Sequence, residues 1–177
     1  MSNSSERILL SSEREGRISH FRFWVMVGVP LAALLFQVYV PLFFQFLGFL
    51  ELPLLVVVYF ALMRRNQVSG LLIGAIVGLA QDSLSKNPLG MFGIVKTLVG
   101  YFASSIGVRL DVDNTAMRLV LTFFFFVFHQ FFYWVLARAL LAQQLAFEPQ
   151  KTLLLGLLNA LVGVSLFYFL DKLREKA

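Results

Sequence analysis

The sequence predicts an all-α integral membrane protein, a bundle of six transmembrane helices with both termini in the cytoplasm. Hydrophobic residues make up 59% of the 177 positions and the mean hydropathy is +0.79, whereas a soluble domain has about 45 to 50% apolar residues. These residues fall into runs that approach the roughly 20 residues needed to cross a bilayer as a helix. Lysine and arginine concentrate in alternate loops between the runs. Nearly the whole chain is therefore expected to lie in or at a membrane.

Six spans follow from the apolar runs and the polar, glycine or proline breaks between them. They are predicted near residues 21–39, 52–63, 68–81, 89–106, 119–137 and 152–170. The second span either recruits part of "PLFFQFLGFL" (41–50) or merges with it into one interrupted segment, which would leave five spans. The predicted organisation is a mobile cytoplasmic tail (1–20), a single six-helix domain (21–171) and a short basic cytoplasmic tail (172–177).

The distribution of basic residues favours six spans over five, because cytoplasmic loops accumulate Lys and Arg. With six spans and an internal N-terminus, three basic residues fall outside, Lys86, Arg138 and Lys151, and Lys96 lies within the fourth span. The cytoplasmic side then holds Arg7, Arg14, Arg17, Arg22, Arg64, Arg65, Arg109, Arg118, Lys172, Arg174 and Lys176. The segment "GLAQDSLSKNPLG" (78–90) is consequently expected on the outer face.

Small residues recur at helical spacing along three of the predicted spans, so that each set lines one helix face. Helices in lipid associate through such close backbone contacts. The stripes therefore predict either packing inside the bundle or docking of a partner's transmembrane helix. They comprise Gly70, Gly74 and Gly78; Gly93, Thr97, Gly100, Ser104 and Gly107; and Gly156, Ala160 and Gly163.

The polar segment between the third and fourth spans is interpreted as a capped hairpin turn. Backbone groups must be satisfied at membrane depth, and the short polar side chains of Asp82, Ser83, Ser85 and Asn87 bond nearby amides. Pro88 is expected in the first turn of the following helix with Asn87 as its cap. Gly90 is expected to allow close packing where the chain, at Leu89, re-enters the membrane.

Two polar residues within spans need partners, because unpaired polar groups are costly at that depth. Lys96 is predicted to pair with Asp82 or the loop, with snorkelling to the outer surface and contact with a partner or substrate as alternatives. His129 is predicted to be neutral and hydrogen-bonded to a neighbouring helix, with Gln37 or Asn159 as its partner.

Several functional classes are unsupported by the sequence. There is no cysteine, and His20 and His129 are too far apart to suggest a metal site. Nucleotide-binding loops, metalloprotease motifs and nucleophile elbows are absent. The basic residues are scattered between apolar runs rather than forming a nucleic-acid-binding face. We therefore expect a protein without catalytic residues, cofactor, metal or nucleic-acid partner.

The segment "SGLLIGAIVGLAQDSLSKNPLGMFGIVKTLVGYF" (69–102) resembles the central signature of the MreD family of bacterial rod shape-determining membrane proteins. The likeness consists of a glycine-rich span ending in Asp, a step to Leu-Gly, and an apolar helix with a Gly-Tyr pair. The "P-x-L" entry to the second span, in "LPLLVVVYFAL" (52–62), and the basic C-terminal tail are also similar. By position Gly78, Asp82, Leu89 and Gly90 match the motif, whereas Lys86 and Lys96 are individual to this sequence.

The resemblance implies a non-enzymatic, multi-pass protein of the bacterial inner membrane that belongs to the cell-elongation machinery. It would bind MreC and, indirectly, the MreB filament system, RodA and its transpeptidase, which build lateral peptidoglycan. Membrane lipids are expected contacts, and a homo-oligomer stays open. Such bundles are similar to the substrate-binding subunits of energy-coupling-factor vitamin transporters, so that function is an alternative. A binder of lipid-linked precursors is another, with Lys86, Lys96 and Arg138 as its outer cations.

Overall fold

A computed structural model describes residues 21–85, 88–143 and 146–174. These residues form six α-helices and no strand: α1 (Phe23–Phe43), α2 (Leu52–Arg64), α3 (Gln67–Leu84), α4 (Met91–Gly107), α5 (Thr115–Leu141) and α6 (Pro149–Asp171). A short 3-10 helix, Gln45–Phe49, separates α1 from α2. The prediction of an all-α protein with six helices is confirmed, and the second span recruits the 3-10 helix from the segment 41–50. The predicted tail 1–20, Lys86, Asn87 and the last three residues lie outside the described residues.

Five apolar segments are long enough to cross a membrane by length and composition, with the 3-10 helix and α2 counting as one of 20 residues. The remaining helix, α4, has 17 residues. At about 1.5 Å per residue it rises about 26 Å, slightly less than a hydrocarbon core of about 30 Å. The chain is therefore a multi-pass membrane protein.

The short helix α2 is the centre of the bundle. All residues from Pro53 to Met63 are buried, and α2 contacts each of the other five helices. A helix that is apolar on every side has no face that prefers water. The run "LPLLVVVYFALM" thus fits a central position surrounded by protein.

Helices α3 and α4 pack with their backbones in contact. A methyl group added at Gly70 or Gly100 would overlap the carbonyl oxygen of the other residue, and one at Gly74 would overlap the carbonyl oxygen of Lys96. At Gly78 the obstacle is the carbonyl of Phe92. These glycines lie where the chain packs against itself.

The other predicted small residues also face neighbouring parts of the same chain. A methyl group at Gly107 would meet the α2 carbonyl of Leu62 at 2.5 Å. Those at Gly156 and Gly163 would meet side chains of α5, and one at Gly93 would meet the side chain of Leu79 on α3. Among the described residues, the glycine faces of α3, α4 and α6 are thus occupied internally.

We call the end of the bundle that carries the α3–α4 turn the hairpin end, and the opposite end, where α1 begins and α6 finishes, the terminal end. At the terminal end Arg118 donates to Asp171 at 2.5 Å and to the carbonyl of Val112 at 2.7 Å. The hydroxyl of Tyr59 also donates to Asp171, at 2.9 Å. This network fastens α2, α5 and α6 together at the terminal end.

Candidate functional site

The turn between α3 and α4 is organised by one carboxylate. Asp82 is 1% exposed, and its two oxygens accept hydrogen bonds from the backbone N–H groups of Gly90 (3.0 Å), Phe92 (3.0 Å) and Gly93 (2.9 Å). The first amides of a helix have no partner within it and carry partial positive charge. Asp82 therefore caps α4 from the neighbouring helix.

The details of this turn correct several expectations. Helix α3 continues to Leu84, so Asp82 lies in its last turn and not in a loop beyond residue 81. Helix α4 begins at Met91, so Pro88 precedes the helix and is not in its first turn. Gly90 does not mediate packing, because nothing lies within 4 Å of where its side chain would be; its φ of 96° is the feature that favours glycine. Leu89 is exposed.

Lys96 lies one to two turns inside α4 and is completely buried. Its Nζ is 3.7 Å from Oε2 of Glu51, 3.4 Å from Nε2 of His129 and 4.4 Å from the centre of the Phe92 ring. Snorkelling is therefore wrong. The predicted ion pair with Asp82 is also wrong, because the carboxylate that pairs with Lys96 is Glu51. We refer to Glu51, Lys96 and His129 as the hairpin-end cluster.

Glu51 is held in place by its backbone at the junction of α1 and α2. Its N–H donates to Oδ1 of Asn159 at 2.9 Å, and the next N–H, of Leu52, donates to Oε1 of Gln37 at 3.3 Å. The amide of Asn159 also donates to the carbonyl of Phe49. Gln37 and Asn159 thus close the entry to α2, which corrects the prediction that one of them is the partner of His129.

His129 contacts Lys96 and stacks on Phe92, with ring centres 5.8 Å apart and planes 8° from parallel. An ammonium only donates hydrogen bonds, so Nε2 of His129 accepts from Lys96 in the tautomer that carries its ring proton on Nδ1. Nδ1 of His129 and Oε2 of Glu51 are buried and make no hydrogen bond within the described part of the chain. The cluster thus brings one carboxylate, one amine and one imidazole together in the interior of the bundle.

The cluster connects α2, α4 and α5 through one buried cation. A buried charge needs an opposite charge and hydrogen bonds to be tolerated, so the position of Lys96 depends on both neighbours. The described residues contain no group of three His, Cys, Asp or Glu that could hold a metal ion. The contacts of Lys96 with Glu51 and His129 therefore hold the start of α2, helix α4 and helix α5 together.

Glu51 is the site residue that sequence reasoning missed. It is the one acidic residue between positions 21 and 81, and it directly precedes a predicted span. Lys96 is the one lysine inside a predicted span, and Arg22 lies at the very edge of the first span. A lone carboxylate at a span entry and a lone ammonium inside another span would have been the signal for this pair.

A groove of about 360 Å³ lies between α1 and α3 on the outside of the bundle. Its residues are apolar: Phe23, Met26, Val27, Pro30, Leu31, Leu34, Ile73, Ile76, Val77 and Ala80. Helix α1 is only loosely packed, with Pro30, Ala33 and Leu34 as its buried residues. One wall of the groove is thus formed by α3, which is tightly packed against α4, and the other wall is formed by the loosely packed α1.

Comparison with known proteins identifies the chain. The family model of the rod shape-determining protein MreD matches residues 18–176, whereas neither the curated proteins nor the solved structures give a match. This family is one of shape-determining membrane proteins and is not a known enzyme family. The match spans the six helices and both described ends of the bundle, so the chain belongs to the MreD family of rod shape-determining proteins.

Proposed function

We propose that this protein is a non-enzymatic component of the cell-elongation complex in the bacterial inner membrane. In this role it binds MreC and helps to position or regulate the synthase that builds lateral peptidoglycan. MreB, RodA and its transpeptidase are then reached indirectly, through MreC. Family membership supports the role in cell shape, and the arrangement of the bundle supports a surface for a membrane partner.

The observation that carries the proposed contact with MreC is the groove between α1 and α3. It follows α1 from Phe23 to Leu34, a distance of about 16 Å at 1.5 Å per residue. This length corresponds to about three turns of a partner helix, and helix association in membranes relies on close packing of such surfaces. The groove accordingly takes a transmembrane helix of MreC.

The groove is a better candidate for this contact than the glycine stripes. Gly70, Gly74 and Gly78 face α4 of the same chain, and their close approach leaves no space for another helix. By contrast, Ile76 on the same helix α3 is 66% exposed and lines the groove. One face of α3 thus holds the bundle together while the opposite side is open to a partner.

The proposed orientation places both termini in the cytoplasm and the hairpin end outside. It is supported by the excess of Lys and Arg in the loops of the terminal end. In this orientation the groove begins near the cytoplasmic surface at Phe23 and rises toward the outer face at Ala80. A partner helix in the groove would leave the membrane beside the α3–α4 turn.

Co-purification with MreC tests this proposal. Ile76→Trp should fill the groove and reduce recovery of MreC about tenfold or more, because overpacking prevents a close helix contact. The matched control is Leu157→Trp on α6, where the replaced side chain is 52% exposed and lies outside the groove. Equal recovery with both variants would contradict the groove. Failure of the unaltered protein to bind MreC, together with nanomolar binding of a vitamin, would favour the transporter alternative.

A further inference from the structure

A second pocket, of about 240 Å³, lies between the end of α5 and the start of α6 at the hairpin end. Four of its ten lining residues are aromatic: Phe126, Tyr133, Trp134 and Phe147. The Trp134 and Phe147 rings are 5.4 Å apart, which closes one side. The pocket reaches from the middle of α5 to the chain segment that precedes α6, since Phe126 and Glu148 both line it.

Two polar groups in this pocket have no hydrogen-bond partner among the described residues, although the Tyr133 ring stacks on Phe92 with ring centres 5.1 Å apart. The amide of Gln130 and the hydroxyl of Tyr133 both line the pocket and are half-buried. Neither side chain makes a hydrogen bond within the described residues. Unpaired polar groups inside membrane helices are costly and mark binding sites. An amide and a hydroxyl in an aromatic pocket favour a ligand with hydroxyl or phosphate oxygens.

Charged side chains surround the mouth of the pocket. Lys151 and Glu148 line it, with Lys151 Nζ 3.6 Å from Oε2 of Glu148. Arg138 lies over the Trp134 ring, with its Cζ 5.5 Å from the ring centre. The pocket itself is thus lined by one positive and one negative side chain, and Glu148 competes with any anion for Lys151.

We propose that this α5–α6 pocket binds the phosphate-bearing head group of an anionic membrane lipid. Lys151 binds the phosphate, Gln130 and Tyr133 bond the glycerol oxygens, and the aromatic wall packs against the apolar part of the lipid while the acyl chains stay in the bilayer. The pocket is separate from the α1–α3 groove, so this inference goes beyond the proposed contact with MreC. A variant that loses lipid binding in the α5–α6 pocket should still bind MreC in the α1–α3 groove.

The two tryptophans of the chain make the site directly observable. Trp134 lines the pocket, and Trp24 lies on α1 and is 80% exposed. Full-length Trp24→Phe protein in detergent therefore reports through Trp134 alone. We would titrate it with dihexanoylphosphatidylglycerol, with dihexanoylphosphatidylcholine and with inorganic phosphate, and follow the fluorescence.

The proposal expects saturable binding of phosphatidylglycerol, at least about tenfold weaker binding of phosphatidylcholine, and no effect of inorganic phosphate at the same concentration. Lys151→Gln and Gln130→Leu should each weaken binding about tenfold, since each removes a hydrogen-bonding group from the ligand. Glu148→Gln should strengthen it severalfold, because Lys151 loses its competitor. Lys172→Gln, at the terminal end, is the control and should change nothing.

Three results would overturn the proposal. Equal affinity for phosphatidylglycerol and phosphatidylcholine would show that the phosphatidylglycerol head group is not recognised. Saturation by inorganic phosphate alone would indicate a free-anion site. Unchanged binding in both Lys151→Gln and Gln130→Leu, with their circular dichroism matching the parent, would show that the pocket is not where the lipid binds.

Discussion

Lys96 contacts Glu51, His129 and Phe92 at the hairpin end, so its replacement should reduce the stability of the protein. Replacing Lys96 with Met keeps the size of the side chain but leaves the buried Oε2 of Glu51, whose side chain is 14% exposed, without its cation, and breaking a buried ion pair in this way costs up to about 3 to 5 kcal/mol. Lys96→Met should therefore lower the free energy of unfolding by about that amount, measured by reversible unfolding in detergent or bicelles. The double variant Lys96→Met with Glu51→Gln should recover most of the lost unfolding free energy, because no uncompensated charge then remains.

The matched control for this experiment is Lys151→Met. Lys151 also pairs with a glutamate, Glu148, but both side chains are more than half exposed, and exposed pairs contribute about 0 to 1 kcal/mol. It should change the unfolding free energy by less than about 1 kcal/mol. Additive effects of Lys96→Met and Glu51→Gln would mean that the two residues do not interact.

Asp82 should be a capping residue whose loss exposes three amides at once. Asp82→Ala leaves the N–H groups of Gly90, Phe92 and Gly93 without their acceptor, and an unsatisfied buried donor costs about 1 to 3 kcal/mol. Asp82→Asn keeps one acceptor oxygen and should be milder. Hydrogen exchange at the start of α4 measures the effect locally, with Ser83→Ala as an exposed control. Identical protection in all three variants would refute the cap.

At the level of helices, the contact between α3 and α4 should tolerate no added methyl group. Gly74→Ala would overlap the Lys96 carbonyl oxygen, so the two backbones must separate. We expect a loss of about 1 to 3 kcal/mol in unfolding free energy. Gly28→Ala on α1 is the control, since nothing lies within 4 Å of its added methyl group and alanine favours a helix by about 1 kcal/mol. A Gly74→Ala protein as stable as Gly28→Ala would contradict this packing.

The helices could be predicted from the sequence because each is a local pattern. The observed bounds differ from the predicted ones by a few residues, as at α5, which runs from Thr115 to Leu141 where 119–137 was predicted. Apolar length and breakers determine such segments independently of the rest of the chain. Most ends lie outside the predicted bounds, because polar and amphipathic residues continue a helix beyond its apolar run, whereas α1 and α4 begin two residues later than predicted.

The site could be predicted only in part, because it depends on contacts between distant segments. Asp82 and Lys96 were singled out correctly as costly residues, yet the pairing of Lys96 with Glu51 needs the central position of α2, which no local pattern specifies. The sequence predicts Gln37 or Asn159 as the partner of His129, whereas both accept from backbone N–H groups at the start of α2. The 3-10 helix before α2 brings the N–H groups of Glu51 and Leu52 to the side chains of Asn159 and Gln37. No sequence pattern predicts that 3-10 helix.

For the whole molecule, the orientation in the membrane is open to a direct test because the chain contains no cysteine. Ser85→Cys at the hairpin end should react with a membrane-impermeant maleimide added to intact spheroplasts. Asn66→Cys, in the α2–α3 loop at the terminal end, should react only after the membrane is permeabilised. The opposite labelling pattern would place both termini outside and invert the bundle.

We propose that MreC packs its transmembrane helix into the α1–α3 groove, and photo-crosslinking in living cells is a direct test of that contact. A photoreactive amino acid replaces Ile76 in the groove or, as a matched control, Leu157 on the lipid-facing side of α6; both side chains are more than half exposed. We expect a crosslink to MreC from position 76 and none from position 157. A crosslink from position 157 alone, or from neither position while both variants support rod shape, would contradict the account.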